Sequence, residues 1–123
     1  MGIMEKFRNQ GAASNAPEQA VIVRFNFPAA DIDRIFQIED QLAKAVETGS
    51  IGQLDGNEIA VDGRDNMFYF YGTDADSIFA AIEPVLLQWD ILSEARVLLR
   101  YGAPGLDTRQ RTITLPKWSA LQH

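Results

Sequence analysis

The 123-residue chain contains no cysteine and a single histidine, His123. Without cysteine there are no disulfides, thiolate nucleophiles, iron–sulfur clusters or thiolate zinc sites. This composition fits a reducing cytoplasm, where we expect the protein. A serine–histidine–aspartate triad would need His123 as its base, and a terminal residue that frays is poorly suited to that role.

The sequence also lacks long apolar runs and nucleotide-binding glycine patterns. No stretch approaches the roughly 18 consecutive apolar residues of a membrane-spanning helix, and the first residues lack the apolar core of a signal peptide. The phosphate-binding patterns GxxxxGK[ST] and GxGxxG are absent. The net charge of −6 argues against a nucleic-acid partner, because phosphate affinity comes mainly from clustered Lys and Arg. We therefore expect neither a membrane nor a nucleic acid as partner.

The remaining composition is that of an ordinary folded domain, with 46% hydrophobic and 23% charged residues. Residues 1–19 are rich in small and polar side chains and are predicted to be a flexible N-terminal segment. A single α+β domain is predicted over residues 20–115. Residues 116–123 are interpreted as a C-terminal tail.

Periodicity predicts the elements of this domain. Alternation from residue 20 to Phe27 indicates a strand with one buried face. A helix follows, with Gly49 as its stop and an apolar stripe formed by Ile32, Ile35, Phe36, Leu42, Ala43 and Val46. Residues 53–61 and 67–71 are predicted to form a hairpin around the turn cluster 62–66. Asp55-Gly56-Asn57-Glu58 is expected to lie in a turn or near a strand end.

A second helix and up to two further strands complete the domain. Thr73 or Asp74 is the predicted N-cap of this helix, and Pro84 is expected to kink it. Its predicted apolar stripe comprises Ile78, Phe79, Ile82, Val85, Leu86 and Trp89. Residues 94–101 alternate as a strand, and residues 111–115 are predicted either to add an edge strand or to lie across the sheet. The order β-α-β-β-α-β is that of the ferredoxin-like fold, in which both helices pack on one face of an antiparallel sheet.

Strand parity then predicts which side chains lie opposite the helices. The helices are expected to cover the face with Val21, Val23, Phe25, Phe27, Phe68, Phe70, Val97 and Leu99. The other face would carry a candidate ligand-binding set, which comprises Arg24, Asn26, Tyr69, Tyr71, Arg96 and Arg100, with Glu58 beside them. Arginine forks and phenols suit a carboxylate, a phosphate or an acidic side chain. Alternatively, the tail around Trp118 and Leu121 or a second copy of the sheet covers this face.

Acidic residues in predicted turns suggest a weaker alternative. Asp55, Glu58, Asp62, Asp65, Asp74 and Asp76 supply oxygens of the kind that Ca²⁺ or Mg²⁺ prefers. Their spacing matches no calcium-loop pattern, and turn formation or helix capping explains several of them individually. We therefore predict no metal site and no cofactor.

Three short motifs carry a family resemblance: Asp55-Gly56-Asn57-Glu58, the stretch FYFYGTDADSIF at 68–79, and VLLRYG at 97–102. Over residues 20–115 the chain resembles a small family of bacterial proteins that share D-G-x-E, Y-G-x-D-A-D and R-Y-G motifs. The resemblance implies the ferredoxin-like fold and a bacterial origin. It implies no catalytic residue, because that family has no assigned activity.

The sequence thus favours a non-enzymatic binding domain over an enzyme. Its partner would be a protein, a second copy of the chain or a small anionic ligand, held on the Arg and Tyr face. One alternative is a toxin-neutralising immunity protein, by analogy with other small acidic bacterial domains. The other is a small metal-assisted enzyme that uses Asp55, Glu58 and the neighbouring acids.

Overall fold

The computed structural model describes residues 18–26, 32–58, 64–105 and 107–117. These residues form five strands and two α-helices, in the order β1 (Gln19–Phe25), α1 (Ile32–Glu47), β2 (Gly52–Glu58), β3 (Asn66–Gly72), α2 (Ala75–Leu86), β4 (Arg96–Arg100) and β5 (Gln110–Thr114). A 3-10 turn at Asp90–Leu92 precedes β4. Predictions about residues 1–17, Phe27, Asp62, Trp118, Leu121 and His123 lie outside the described residues. Within the described ranges, neither helix has the length and apolarity needed to cross a membrane.

The sheet confirms the predicted ferredoxin-like fold. Its strand order is β2-β3-β1-β4-β5, and every neighbouring pair is antiparallel. Each helix therefore crosses over one intervening strand, as α1 does between β1 and β2. The run at 111–115 supplies the extra edge strand, because β5 pairs with β4 with Ile113 opposite Val97.

The hydrophobic core lies between the helices and one face of the sheet. Val23 at its centre pairs with Phe68 on one side and Val97 on the other, and all three are fully buried. Helix α1 contributes Ile35, Ile38, Leu42 and Val46, and α2 contributes Ala75, Ile78, Phe79, Ile82 and Leu86. The parity predicted for this face is confirmed for the residues described.

Helix α1 corrects one predicted core position. Phe36 was expected in the apolar stripe, but it is 55% exposed, whereas Ile38 is fully buried. Successive helical residues are about 100° apart around the axis, so Phe36 turns away from the sheet that its neighbour Ile35 faces. The spacing of Ile35, Ile38 and Leu42 matches a single stripe better than any set that includes Phe36.

The residues at the ends of the two helices differ in part from those predicted. Asp74 is the N-cap of α2 as predicted, since its Oδ1 accepts from the Asp76 and Ser77 N–H groups at 3.0 and 3.3 Å. Helix α1 ends at Glu47, and the left-handed residue after it is Ser50, with φ 54°, rather than the expected Gly49. Pro84 lies exposed in the last turn of α2, which continues to Leu86.

Strands β2 and β3 approach closely where two glycines pair. Gly52 is the register partner of Gly72, and Ile78 of α2 sits over both. A Cβ on Gly72 would lie 2.7 Å from the Ile51 carbonyl oxygen.

Strand β2 is also irregular, with a register shift between Leu54 and Gly56 that leaves Asp55 in a bulge. The four residues Asp55 to Glu58 belong to this strand, within the predicted hairpin strand 53–61, and Glu58 lies at its end.

Candidate functional site

The sheet face opposite the helices, called here the open face, is organised as three rows across the strands. The register places the Arg24 row at one end, composed of Glu58, Met67, Arg24, Arg96 and Thr114. The central row consists of Gly56, Tyr69, Ile22, Leu98 and Thr112. The Arg100 row at the other end consists of Gln53, Tyr71, Ala20, Arg100 and Gln110.

The candidate residues share this face, but they do not converge on one point. Arg24 and Arg96 are direct cross-strand partners, with Asn26 just beyond the end of β1. Arg100 lies four residues along β4 from Arg96, which corresponds to about 13 Å in a strand. The structure therefore brings Arg24, Asn26 and Arg96 together and leaves Arg100 with Tyr71 at the opposite end. A small ligand cannot contact all three arginines at once.

Arg24 is already neutralised by a fixed ion pair. Its Nη2 and Nε lie 2.6 and 3.2 Å from Asp65 Oδ1, and this contact raises the Arg24 pKa, through the hydrogen bond first and the charge second. Asp65 is held in turn by Asn26, whose Oδ1 accepts from the Asp65 N–H at 2.6 Å. Asp65 has a left-handed backbone, with φ 54°. Asn26 thus orients the counter-ion of Arg24.

A shallow groove of about 380 Å³ lies at the Arg24 end of the open face. Arg24, Asn26 and Asp65 form one wall, and Ser93, Glu94 and Arg96 contribute to the other, with Thr114 of β5 beside them. Within the described ranges, neither the Arg96 guanidinium nor the Glu94 carboxylate has a side-chain hydrogen bond or an ion pair. Both side chains are exposed. The groove therefore offers one unpaired positive and one unpaired negative group.

Tyr69 and Glu58 form a second polar contact on the open face. The Tyr69 hydroxyl donates to Glu58 Oε1 at 2.6 Å and lies 3.4 Å from Met67 Sδ. The hydrogen bond to Glu58, with some burial, raises the pKa of Tyr69 from 10.0 to about 12. Tyr69 therefore stays a neutral donor at physiological pH and could not act as a general base there.

The other end of the open face is more enclosed. Ala20 is fully buried between Tyr71 and Arg100, its neighbours in the row. Burial raises the pKa of Tyr71, and the charge of Asp55 adds to this effect. Arg100 donates from Nε to the Gly102 carbonyl oxygen at 2.8 Å. These contacts give Arg100 a structural role at the end of β4.

The acidic residues considered for metal binding are dispersed. Asp55 lies in the β2 bulge, Glu58 accepts from Tyr69, and Asp74 caps α2. Within the four described ranges, no three histidine or acidic side chains come close enough to hold a metal ion. Each of these three carboxylates has a local structural explanation.

The stretches at 68–79 and 97–102 meet in space. The Tyr101 hydroxyl donates to Asp76 Oδ1 at 2.6 Å, joining the end of β4 to the first turn of α2. The Arg109 guanidinium lies 4.6 Å from the centre of the Tyr101 ring. These contacts stabilise the connection between β4 and β5, and they account for the motif residues without a ligand.

The sequence reasoning missed several groove residues. Glu94 lies in the predicted strand 94–101, but it precedes β4 and has a left-handed backbone, so strand alternation could not place its side chain. Asp65 was considered as a turn residue and as a possible metal ligand, and nothing local shows that its carboxylate reaches Arg24. Thr114 required knowledge that β5 pairs with β4, which no residue pattern supplies.

A comparison with protein-family models found no match for this chain, and comparisons with curated proteins and with solved structures found none either.

Proposed function

We propose that this chain is a binding domain that holds a carboxylate-bearing small ligand against Arg96 in the groove at the Arg24 end of the open face. The observation that carries the proposal is the exposed Arg96 guanidinium, which forms no hydrogen bond or ion pair in the described part of the chain. Its neighbour Arg24 is satisfied by Asp65 at 2.6 Å. Of the two adjacent guanidinium groups, one is thus paired and the other is unpaired among the described residues.

Cross-strand geometry supports a counter-ion for Arg96. Residues directly opposite in an antiparallel pair have Cβ atoms about 5 Å apart, and like charges there are destabilising. Asp65 pairs with Arg24 and so weakens this repulsion, but it leaves Arg96 itself without a counter-ion among the described residues. A planar guanidinium donates two parallel hydrogen bonds to a carboxylate, which makes arginine well suited to this ligand class. A bound carboxylate would therefore supply the counter-ion of Arg96 through charge-assisted hydrogen bonds.

The size of the groove favours a small ligand. The polar groups cluster in a groove whose volume lies in the lower range of small-molecule sites. The central row, by contrast, presents half-buried Ile22 and Leu98, which suit a protein surface. A second copy that places its Glu58 against Arg96 is thus the competing occupant.

The test is an NMR titration of the arginine Nε–H signals with acetate and propionate. We expect the Arg96 signal to shift and saturate, and Arg96→Gln to abolish binding. Arg111→Gln is the matched control, because Arg111 is equally exposed but lies on the opposite sheet face, beside Leu99. Equal shifts at Arg96 and Arg111, or none at either, would contradict the proposal.

Sedimentation at several protein concentrations separates the two occupants. A monomer that binds acetate at Arg96 supports the small-ligand proposal. A dimer that dissociates on Glu58→Gln substitution would show that the face is covered by a second copy, and the proposal would then be wrong.

A further inference from the structure

The groove contains a negative group that a site for simple anions would not need. Glu94 and Arg96 lie two residues apart on the same wall, with Ala95 between them buried at 2% exposure. Both charged groups are exposed, and within the described residues neither forms an ion pair, with the other or with a third group.

The backbone around Glu94 is held by contacts with the segment after β5. Glu94 is left-handed, with φ 62°, and its N–H donates to the Pro116 carbonyl oxygen at 3.4 Å. The next carbonyl, of Ala95, accepts from the Leu115 N–H at 2.8 Å. A non-glycine residue in this conformation is strained by about 1 kcal/mol or more and persists only when its surroundings impose it. These contacts fix the backbone position from which Glu94 lines the groove.

The charges of the whole groove cancel. Arg24 and Asp65 form an ion pair on one wall. Arg96 and Glu94 line the other wall without an ion pair among the described residues. A ligand with only a carboxylate would gain at Arg96 but would be repelled by Glu94. A ligand with only an ammonium would gain at Glu94 and be repelled by Arg96. A ligand that carries both groups satisfies both side chains.

We infer that the ligand of this groove is a small zwitterion of the amino-acid class, with its carboxylate on the Arg96 guanidinium and its ammonium on the Glu94 carboxylate. This inference rests on the proposed function, because it assigns the second recognition group of the same site. The groove volume of about 380 Å³ admits a ligand of this size. Each contact is a charge-assisted hydrogen bond on an exposed surface.

The test compares matched probes by NMR titration of the Arg96 Nε–H and Ala95 amide signals. Glycine, β-alanine and γ-aminobutyrate carry both groups at increasing separation. Acetate, propionate and butyrate lack the ammonium, and propylamine lacks the carboxylate. We expect the best zwitterion to bind about tenfold more tightly than its amine-free counterpart, as one additional charged hydrogen bond predicts.

Two substitutions assign the contacts. Glu94→Gln should abolish the tenfold advantage of the zwitterion while leaving propionate binding intact. Arg96→Gln should abolish binding of both. Glu47→Gln, an exposed acid at the end of α1, is the control and should change neither. Backbone NMR spectra of each variant check that the fold is intact.

The outcomes separate this inference from the proposed function. If propionate and β-alanine bind equally well and Glu94→Gln has no effect, the zwitterion inference is wrong and the carboxylate site stands. If no probe of either series shifts the Arg96 signal, both are wrong.

Discussion

Replacement of Gly72 by alanine tests the close approach of strands β2 and β3. A Cβ there would meet the Ile51 carbonyl oxygen at 2.7 Å and Ile78 Cδ1 at 3.0 Å. The side chain of Ile78 can adjust, but the carbonyl oxygen can move only if the strands separate. Forced overpacking of this kind costs about 2 to 3 kcal/mol. For a domain of this length, that corresponds to a fall in Tm of about 10 °C.

Gly56→Ala is the matched control, because Gly56 lies on β2 in the same hairpin and a Cβ there would meet nothing within 4 Å. Its effect should stay within about 0.5 kcal/mol, or be slightly stabilising, because alanine reduces the entropy of the unfolded chain.

Urea unfolding followed by far-UV circular dichroism measures both variants. Gly72→Ala should lower the midpoint by about 1 to 2 M urea with an unchanged slope. A loss below about 0.5 kcal/mol for Gly72→Ala, or an equal loss for Gly56→Ala, would refute the argument that the glycine pair sets the strand separation.

Three further predictions concern the helices and the open face. Ile38→Ala should destabilise the fold by about 2 to 5 kcal/mol and Phe36→Ala by less than about 0.5 kcal/mol, and equal losses in thermal melts would contradict the assigned helix face. Asp74→Ala should cost about 1 kcal/mol by removing the N-cap of α2, whereas Asp74→Ser should recover most of it in urea unfolding. Because the folded-state pKa of Tyr69 is raised, the stability it contributes is complete below pH 10.0 and lost as pH rises towards about 12. Glu58→Gln should lower the Tyr69 pKa towards 10.0 in an NMR titration of the ring, and an unchanged pKa would count against the hydrogen bond as its cause.

The features that could be predicted are those that depend on residues close together in the sequence. The alternation around Val23 and the Asp74 cap depend on near neighbours in sequence, so both were predicted correctly. The exposure of Phe36 was missed because several overlapping stripes were compatible with the same apolar residues. Sheet contact with one particular stripe decides among them, and that contact is tertiary.

The candidate site also combines features that the sequence predicted with features that only the tertiary structure shows. Strand parity placed Arg24, Arg96 and Arg100 on one face, because alternate side chains of any strand point to the same side. The sequence cannot show that Arg24 lies opposite Arg96 in the sheet. Nor can it show that Asp65 forms an ion pair with Arg24 and not with Arg96. Those relations arise from strand register and from a contact between residues 41 positions apart. Local periodicity thus specifies which way each side chain points, whereas the pairing of distant segments specifies which side chains meet.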